Sequence, residues 1–471
     1  MESRSSTARE ETPGLRWRGG KWRYAILWVF LSLVYHSNLR PIASGDSLPA
    51  ALIPVSILLD HSVALDRFGP YLRDHVWYAK FVTRQVGGRW YSFYPIGGPV
   101  LATPLYLPVA YVPWVRRQDP GTLVAVARIT EKFVAVALAA TVALLLLALL
   151  RRMLPEREAW LLALVFALGT GNWSTASQAL WQHTYGQVAI LGCLYAIDRW
   201  EEGAANVRWE WIAGFCAGCA LTIRPSNIAL LVALGVVLGL RRTRPGTWIR
   251  VLAPVMVAGA LTGAGNLAVF GRVSGGYQHV LSGHFIEGLA GILFSPARGL
   301  LVYTPVVIFA LAALSRRARV AAGRHGRVIV AAGIFSICQI GVVAFWPTWW
   351  GGYCWGPRLL TDILAPLMIL VAAGLPALPG SGWRRALAVV AVYGLLIQAI
   401  GVYCYPEGRW DRLPVSVDSH PGRLWDWRDN PITRTVRGGI AREPYAVVEA
   451  AAGGGWTAAA KKLRELRIQP Y

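Results

Sequence analysis

The sequence contains an uncharged apolar run long enough to cross a lipid bilayer. Residues 133–150 read FVAVALAATVALLLLALL, and Arg151 and Arg152 follow directly. Runs of about 18 or more apolar residues without charges are typical of transmembrane helices. Arg at the end of such a helix is typical of its cytoplasmic side. This run, which lies in a predicted span at about 128–150, is therefore the reference from which the rest of the chain is oriented.

The composition of the whole chain fits a protein with many such helices. Of the 471 residues, 55% are hydrophobic and 15% are charged, whereas soluble domains carry about 25% charged residues. The net charge of +22 comes from Arg clusters between apolar runs, so it indicates cytoplasmic loops and no nucleic-acid partner. The composition argues against a soluble domain, and it excludes a disordered chain, a coiled coil and a disulfide-rich secreted module.

The positive-inside rule arranges the apolar runs into an all-α polytopic membrane protein with a bundle of about 11 transmembrane helices. Residues 1–21 form a basic cytoplasmic N-terminus, and residues 22–404 form the transmembrane domain. Spans are predicted at about 22–39, 128–150, 159–177, 184–199, 251–270, 299–315, 328–346, 359–378 and 384–403. Residues 41–127 form a long first outer loop of short interfacial helices, and residues 405–471 form an extracytoplasmic tail.

One apolar segment, 97–115, is not assigned as a span. It contains Pro99, Pro104, Pro108 and Pro113, and Pro inside a helix removes a backbone donor and disrupts the helix. If this segment crossed the membrane, the Arg clusters at 151–158 and 315–327 would move outside, against the positive-inside rule. We therefore predict a re-entrant or interfacial segment.

The stretch Trp211–Leu240 is the second exception, because Arg224-Pro225 interrupts it. Thirty helical residues measure about 45 Å, too long for one crossing of a ~30 Å core and too short for two. The Arg residues at 241–250 must lie inside. The pattern predicts a half-depth hairpin with Arg224 near its tip.

Asp46 is the first candidate for catalysis. It lies in Ser44-Gly45-Asp46-Ser47, directly after the first predicted span. A carboxylate there could act as a general base that accepts the proton of an acceptor hydroxyl. The alternative is that Asp46 caps the helix that starts at Leu48, since Asp is a favoured N-cap residue.

Three arginines at breaks in apolar runs are candidates for a phosphate site: Arg224, Arg298 and Arg358. Arg at membrane depth is costly and usually functional, and its planar guanidinium suits phosphate oxygens. No acidic residue of the 211–240 stretch neutralises Arg224, so a lipid-linked phosphate is its expected counter-ion. The alternative for each arginine is a side chain that extends to the membrane interface.

The pair Gln182-His183 opens the span near 184 from the outer side. These side chains could orient an acceptor, or they could simply lie at the membrane interface.

Asp60 and Asp66 could bind a metal with His61 or His75, but a solvated surface explains them as well, because no ligand spacing typical of a metal site is present. Cys354 and Cys404 could form a disulfide, while Cys216 and Cys219 fit small buried residues.

The order of these features resembles the GT-C superfamily, the polytopic glycosyltransferases that use polyprenyl-phosphate-linked sugars. The resemblance covers about 22–404. It includes Gly45-Asp46-Ser47 at the start of the first outer loop, Tyr94-Pro95-Ile96-Gly97-Gly98-Pro99 at its end, and the hairpin around Arg224-Pro225. Phe294-Ser295-Pro296-Ala297-Arg298-Gly299-Leu300 and Trp350-Gly351-Gly352…Gly356-Pro357-Arg358 resemble later loops of bacterial members.

The resemblance implies an inverting transferase of the bacterial inner membrane that acts on the outer face. Asp46 would be the base, and Arg224, Arg298 and Arg358 would hold the donor phosphate. An acceptor or sugar site would contain Gln182, His183, Tyr94 and Tyr303. The donor would be a polyprenyl-phosphate-linked sugar, and the acceptor would be a glycan, lipid or protein of the envelope.

Two departures from the GT-C pattern leave the need for a divalent metal open. His183 stands where many members have a second acidic residue, and Phe93-Tyr94 stands where several have an acid before the Pro element. The alternatives to a transferase of this kind are a transporter or flippase of lipid-linked saccharides, and a polysaccharide polymerase or ligase.

Overall fold

Long apolar helices form the frame of the protein. The computed structural model describes residues 20–40, 42, 44–74, 81–200, 207–240, 244–276, 281–378, 380–406 and 409–441, and part of 450–465. Five helical stretches among these residues are long and apolar enough to cross a membrane: Pro120–Met153, Pro245–Phe270, Gly323–Ala344, Arg358–Ala377 and Gly382–Tyr403. The predicted fold class, an all-α polytopic membrane bundle, is confirmed, while the number of spans stays a prediction.

The regular elements are short at the ends of the bundle and long in its centre. The α-helices are α1 (Trp22–His36), α2 (Leu48–Asp60), α3 (Gly69–Asp74), α4 (Gly97–Ala110), α5 (Pro113–Arg116), α6 (Pro120–Met153), α7 (Glu156–Gly169), α8 (Gln182–Trp200), α9 (Arg208–Ile223), α10 (Ile228–Leu240), α11 (Pro245–Phe270), α12 (Phe285–Phe294), α13 (Leu300–Tyr303), α14 (Arg316–Ala321), α15 (Gly326–Ala344), α16 (Leu364–Gly374), α17 (Gly382–Tyr403) and α18 (Pro431–Gly438). The 3-10 helices are Asp66–Phe68, Pro225–Asn227, Pro305–Leu314, Gly323–His325, Arg358–Ile363, Leu375–Ala377 and Pro421–Trp425, and a π-helical turn covers Asn172–Ala176. The strands are β1 (Thr83–Val86) and β2 (Arg89–Ser92).

The central helix is α6, which has 34 residues and is therefore about 51 Å long. Asp119 caps its start by accepting a hydrogen bond from the Thr122 N–H, and Pro120 occupies the first turn, where no backbone donor is needed. The helix packs against α1, α2, α7 and α8. It is longer than the ~30 Å hydrocarbon core, so its first turns reach the end of the bundle where the polar residues collect.

The segment predicted as the first outer loop is folded onto the bundle. Its helix α2 is buried on most sides and packs against α4 and α6. The expectation of helices alone is wrong here, because β1 and β2 form an antiparallel hairpin. The hairpin turn consists of Gly87 and Gly88 at φ of 57° and 80°, values that Gly adopts without a steric penalty.

The Pro-rich segment 97–115 is helical over α4 and then turns into α5. Pro99 lies in the first turn of α4, while Pro104 and Pro108 lie inside it. The 14 residues of α4 measure about 21 Å, less than the ~30 Å core. A helix of this length is compatible with the predicted re-entrant segment, which stays a prediction.

The break at Arg224-Pro225 is present, but the two helices beside it do not form a closed hairpin. Arg224 has extended backbone angles (φ −150°, ψ 121°). Helix α9 packs mainly against α8 and α11, whereas α10 packs against α15. The helices therefore diverge from the break at Arg224, which remains the point where α9 ends.

One further prediction needs correction. The predicted span 299–315 is divided into α13 and a 3-10 helix that starts at Pro305, because Pro lacks the N–H that would continue the α-helix. The polar tail is in part a folded segment: Asn430 and Thr433 form a capping box at α18, and the Ala441 N–H donates to the Tyr403 carbonyl at 3.0 Å. Residues 1–19 and 442–449 lie outside the described residues.

Candidate active site

Polar residues that are far apart in the sequence meet at one end of the bundle. Asp46 lies between α1 and α2, and His183 lies in the first turn of α8. Arg224 ends α9, and Arg358 begins a 3-10 helix. Each of these side chains is therefore carried by a helix end, which allows a polar site without a charge in the middle of an apolar helix.

The Asp46 carboxylate lies between a tyrosine and an arginine. Its Oδ1 accepts a hydrogen bond from the Tyr94 hydroxyl at 2.7 Å, and its Oδ2 accepts from the Arg358 Nη1 at 2.8 Å. Its side chain is 39% exposed. The N-cap residue of α2 is Ser47, and no side-chain capping hydrogen bond is present at this helix start. The helix-cap interpretation of Asp46 is therefore wrong.

A buried ion pair on α6 holds the segment that carries Asp46. Arg128 donates from Nη1 to the Ser47 hydroxyl at 2.9 Å and from Nη2 to the Ser44 carbonyl at 3.0 Å. The Glu131 carboxylate accepts from Arg128 at 2.8 Å and from the Leu180 N–H at 2.9 Å. One turn of α6 thus fixes both the Asp46 segment and the residues before α8.

Arg358 extends from the loop before its 3-10 helix. Besides Asp46, its Nη2 donates to the Gly351 carbonyl at 2.7 Å. The guanidinium lies 4.3 Å from the centre of the Trp181 ring, a cation–π contact. Gly351 and Gly352 have φ of 73° and 70°, so the loop takes a turn that residues with a side chain rarely adopt.

Asp362, which was not among the predicted site residues, joins His183 and Arg224. Its Oδ2 accepts from the Arg224 Nη1 at 2.6 Å and lies 2.9 Å from the His183 Nδ1. All three side chains are buried. The expectation that Arg224 has no protein counter-ion is wrong, because the partner comes from a distant part of the chain. The position of Asp362 one helical turn after Arg358 was the available sequence signal.

Arg298 is fully buried, and its guanidinium bonds to other groups of the protein. Its guanidinium donates to the carbonyls of Trp350 (3.1 Å), Gly352 (3.0 Å) and Ala297 (2.9 Å), and it forms an ion pair with Asp411. Tyr303 is buried below Gly356 and lines a different cavity, next to Trp355 and Gln398. The structure therefore does not bring Arg298 or Tyr303 to the Asp46 carboxylate.

A small, shallow cleft opens beside Asp46. Its lining is Asp46, Ala50, Ser92, Tyr94, Pro95, Gly98, Pro99, Leu180, Gln182, Tyr185 and Ile223. Among the described residues, the Gln182 Nε2 and the Tyr185 hydroxyl are buried here without a hydrogen-bond partner. Buried polar groups without partners are costly, so these two groups indicate a polar ligand. The predicted residues Asp46, Tyr94 and Gln182 thus meet in one cleft.

The carboxylates that were candidates for metal binding form ion pairs with arginines instead. Asp60 pairs with Arg67, and Asp66 accepts from Arg89 at 2.7 Å and from the Trp90 N–H at 2.8 Å. Burial alone would raise the pKa of Asp66, but these hydrogen bonds outweigh it and hold the pKa below its usual value. In the part of the chain that the structure describes, no group of three His, Cys, Asp or Glu could hold a metal ion. Cys354 and Cys404 do not form a disulfide with each other.

Comparison with known proteins gives similarity of fold only. The chain is similar to the crystal structure of ArnT from Cupriavidus metallidurans bound to undecaprenyl phosphate, with 16% identity, a TM-score of 0.49, and coverage of 94% of this chain and 75% of that one. The apo structure of the same protein gives 15% identity, a TM-score of 0.48, and coverage of 94% and 74%. No family model and no curated protein matches the sequence.

Proposed function

We propose that this chain is a membrane glycosyltransferase that moves a sugar from a polyprenyl-phosphate donor to a cell-envelope acceptor, with inversion at the sugar carbon. The observation that carries the proposal is the ion pair between Arg358 and Asp46, whose carboxylate lines the cleft. A carboxylate that can accept a proton and a cation that can hold a phosphate lie 2.8 Å apart. Sugar transfer from a phosphate needs both groups beside one reacting carbon.

The proposed reaction is a single displacement. An acceptor hydroxyl attacks the sugar carbon and gives its proton to Asp46. The bond between that carbon and the phosphate oxygen breaks, and its electron pair stays on the phosphate. Arg358 stabilises the charge that develops there, as preorganised cations do in other transfer reactions. Inversion follows from direct attack at the face opposite the leaving phosphate.

The Arg358 Nη1 donates to the Oδ2 of Asp46. A phosphate that takes Arg358 as its own partner would release the Oδ2 of Asp46 and leave it able to accept a proton. The base is then available only when the donor is bound. Gln182 and Tyr185 would donate or accept hydrogen bonds at sugar hydroxyls, and Tyr94 would keep Asp46 oriented through its 2.7 Å hydrogen bond.

We propose a different role for each of the three arginines. Arg358 is the principal phosphate ligand. Arg224 is the secondary one, because Asp362 holds its Nη1 while its Nε and Nη2 make no hydrogen bond to the described residues. Arg298 is assigned a structural role, because its guanidinium already donates four hydrogen bonds to oxygen atoms of the protein. His183 bonds to Asp362, so it would support the site from behind the cleft and not contact the acceptor directly.

We propose that the site faces the outside of the cytoplasmic membrane. The Arg clusters at 151–158 and 315–327 belong to the opposite helix ends, which are the cytoplasmic ends by the positive-inside rule. A transporter or flippase would place its binding residues near the middle of the bilayer. Here the charged residues of the site lie at helix ends on one side of the bundle. This placement favours a glycosyltransferase over a transporter or flippase.

The proposal is tested with the purified full chain in lipid nanodiscs. A panel of synthetic polyprenyl-phosphate sugars is offered with envelope extracts as acceptors, and the release of polyprenyl phosphate is followed by mass spectrometry. We expect release that depends on one donor, on the acceptor and on Asp46. Movement of intact donor across the membrane of a vesicle without any release would favour the flippase instead.

A further inference from the structure

The segment that follows α17 forms hydrogen bonds with the loop that leads to the candidate active site. Residues 405, 406 and 409–425, here called the C-terminal segment, contact the loop 349–357 that leads to Arg358. The Trp350 indole N–H donates to Asp418 at 2.8 Å. The Tyr353 hydroxyl lies 2.7 Å from the Ser416 hydroxyl. The Ser295 hydroxyl donates to the Leu424 carbonyl at 2.6 Å.

The strongest of these connections is an ion pair between Asp411 and Arg298. Both side chains are buried, with residue exposures of 4% and 0%. The second oxygen of Asp411 accepts from the Tyr405 hydroxyl at 2.9 Å. Burial raises the pKa of the Asp411 carboxyl above its usual value, although Arg298 and Tyr405 act in the opposite direction. Asp411 is thus the counter-charge that allows a guanidinium to remain buried at this place.

Arg298 transmits this contact to the loop. It donates to the carbonyls of Trp350 and Gly352, and the carbonyl between them, that of Gly351, is the second partner of Arg358. Arg358 in turn reaches Asp46. Hydrogen bonds on either side of the backbone 350–352 therefore connect Asp411, in the C-terminal segment, with the Asp46 carboxylate.

We infer that Asp411 is a positioning residue, which sets the guanidinium of Arg358 for phosphate through Arg298 and the loop 349–357. Without the Asp411 charge, the buried guanidinium of Arg298 would lose its counter-ion and leave its place. The carbonyls at 350 and 352 would then lose their donors, and the Gly351 carbonyl would no longer direct Arg358. This inference rests on the proposed function only where phosphate binding is the readout.

A native cysteine reports on the loop independently of any substrate. Cys354 is 5% exposed, and its Sγ lies 3.6 Å from the carbonyls of Trp350 and Gly356. Burial raises the pKa of the Cys354 thiol, and a buried thiol reacts slowly with alkylating reagents. A loop that opens would expose this thiol, and alkylation at Cys354 is measured by peptide mass spectrometry.

The test compares Asp411→Asn with Asp429→Asn in the purified full chain. Asp429 is the matched control, because its ion pairs are with Arg434 and Arg423 of its own region. We expect Asp411→Asn to raise the alkylation rate of Cys354 at least tenfold and to weaken binding of polyprenyl phosphate about tenfold. The control should change neither. If Asp411→Asn does not fold, Ser416→Ala serves as a second variant. It removes the hydroxyl that contacts the Tyr353 hydroxyl and perturbs the same loop less strongly.

A double variant separates positioning from a general structural role. If Asp411 acts through Arg358, Asp411→Asn adds no further loss of phosphate affinity in the Arg358→Ala background. An equal loss in both backgrounds overturns the inference, as does an unchanged Cys354 rate in Asp411→Asn. If the wild-type chain binds no polyprenyl phosphate, the proposed function fails. The Cys354 rate then decides alone whether Asp411 holds the loop.

Discussion

The Nη1 of Arg358 and the Oδ2 of Asp46 lie 2.8 Å apart, although the two residues are separated by 312 positions in the chain. The pair joins the loop after the first helix to the loop before the 3-10 helix at Arg358. Its acidic member is 39% exposed, while the arginine side chain is 10% exposed. The carboxylate is therefore reachable from the cleft, and the cation is held from behind by Gly351 and Trp181.

Replacement of Asp46 by Asn tests the base. Asp46→Asn removes the proton acceptor but keeps the side-chain shape, and we expect turnover to fall by about 10²–10⁴-fold, the usual contribution of general base catalysis. Binding of polyprenyl phosphate should not weaken, because Arg358 loses a competing anion. Asp66→Asn is the control, since Asp66 pairs with Arg89 outside the cleft. Normal turnover in the folded Asp46→Asn protein would contradict the assignment.

Replacement of Arg358 tests the phosphate ligand. Charge-assisted hydrogen bonds contribute about 1.5–3 kcal/mol, so Arg358→Ala should weaken polyprenyl-phosphate binding by about tenfold to a hundredfold. Arg358→Lys should recover only part of the affinity, because Lys cannot form a bidentate contact. Arg67→Ala, which removes an ion pair with Asp60, serves as the matched control in a binding titration. Unchanged affinity in Arg358→Ala would exclude this role.

The Arg224–Asp362 pair requires a double variant. Asp362→Asn leaves a buried guanidinium without its counter-ion, and we expect a loss of about 3–5 kcal/mol in the free energy of unfolding. Arg224→Leu combined with Asp362→Leu removes both charges and should recover most of that stability. Phosphate affinity in the double variant should fall severalfold, less than in Arg358→Ala. A double variant with wild-type affinity would show that Arg224 serves the fold alone.

Gly98 sets the width of the cleft. A Cβ at this position would lie 2.5 Å from the Tyr185 ring, so Gly98→Ala must displace the ring that lines the cleft. Overpacking of this kind costs about 1–3 kcal/mol, and we expect a raised KM for the donor. Gly259→Ala is the control, because a Cβ there has nothing within 4 Å. Equal kinetics for the two variants would contradict the assignment of the cleft to substrate.

A topology reporter fused after Tyr471 tests the side of the membrane. The Arg clusters of the predicted inner loops predict, by the positive-inside rule, that the chain after Cys404 lies outside. The C-terminal segment contacts the loop beside Arg358, so it lies at the same end as Asp46. A reporter that is active only outside supports both placements. Activity only in the cytoplasm would reverse the tail and the site together, and it would make 97–115 a candidate span.

The sequence by itself determined the class of protein and the places where its helices break. Long uncharged apolar runs can be accommodated only in a bilayer or a large core, and a bilayer requires helices or closed barrels. Arg224 and Asp46 were found because a charge at a break in an apolar run is costly. The β-hairpin was missed, although two consecutive glycines such as Gly87-Gly88 are a hairpin signal.

Only the tertiary structure decided which charges meet. Asp362, Asp411 and Glu131 lie in separate parts of the chain, and the partner of each is an arginine that local spacing cannot identify, except for the neighbouring Arg128. All three candidate phosphate ligands therefore had counter-ions that the sequence did not disclose, since Arg358 pairs with the distant Asp46. The reason is physical: a buried charge is stabilised by a group within hydrogen-bond distance, and that distance is set by how helices far apart in the chain pack together.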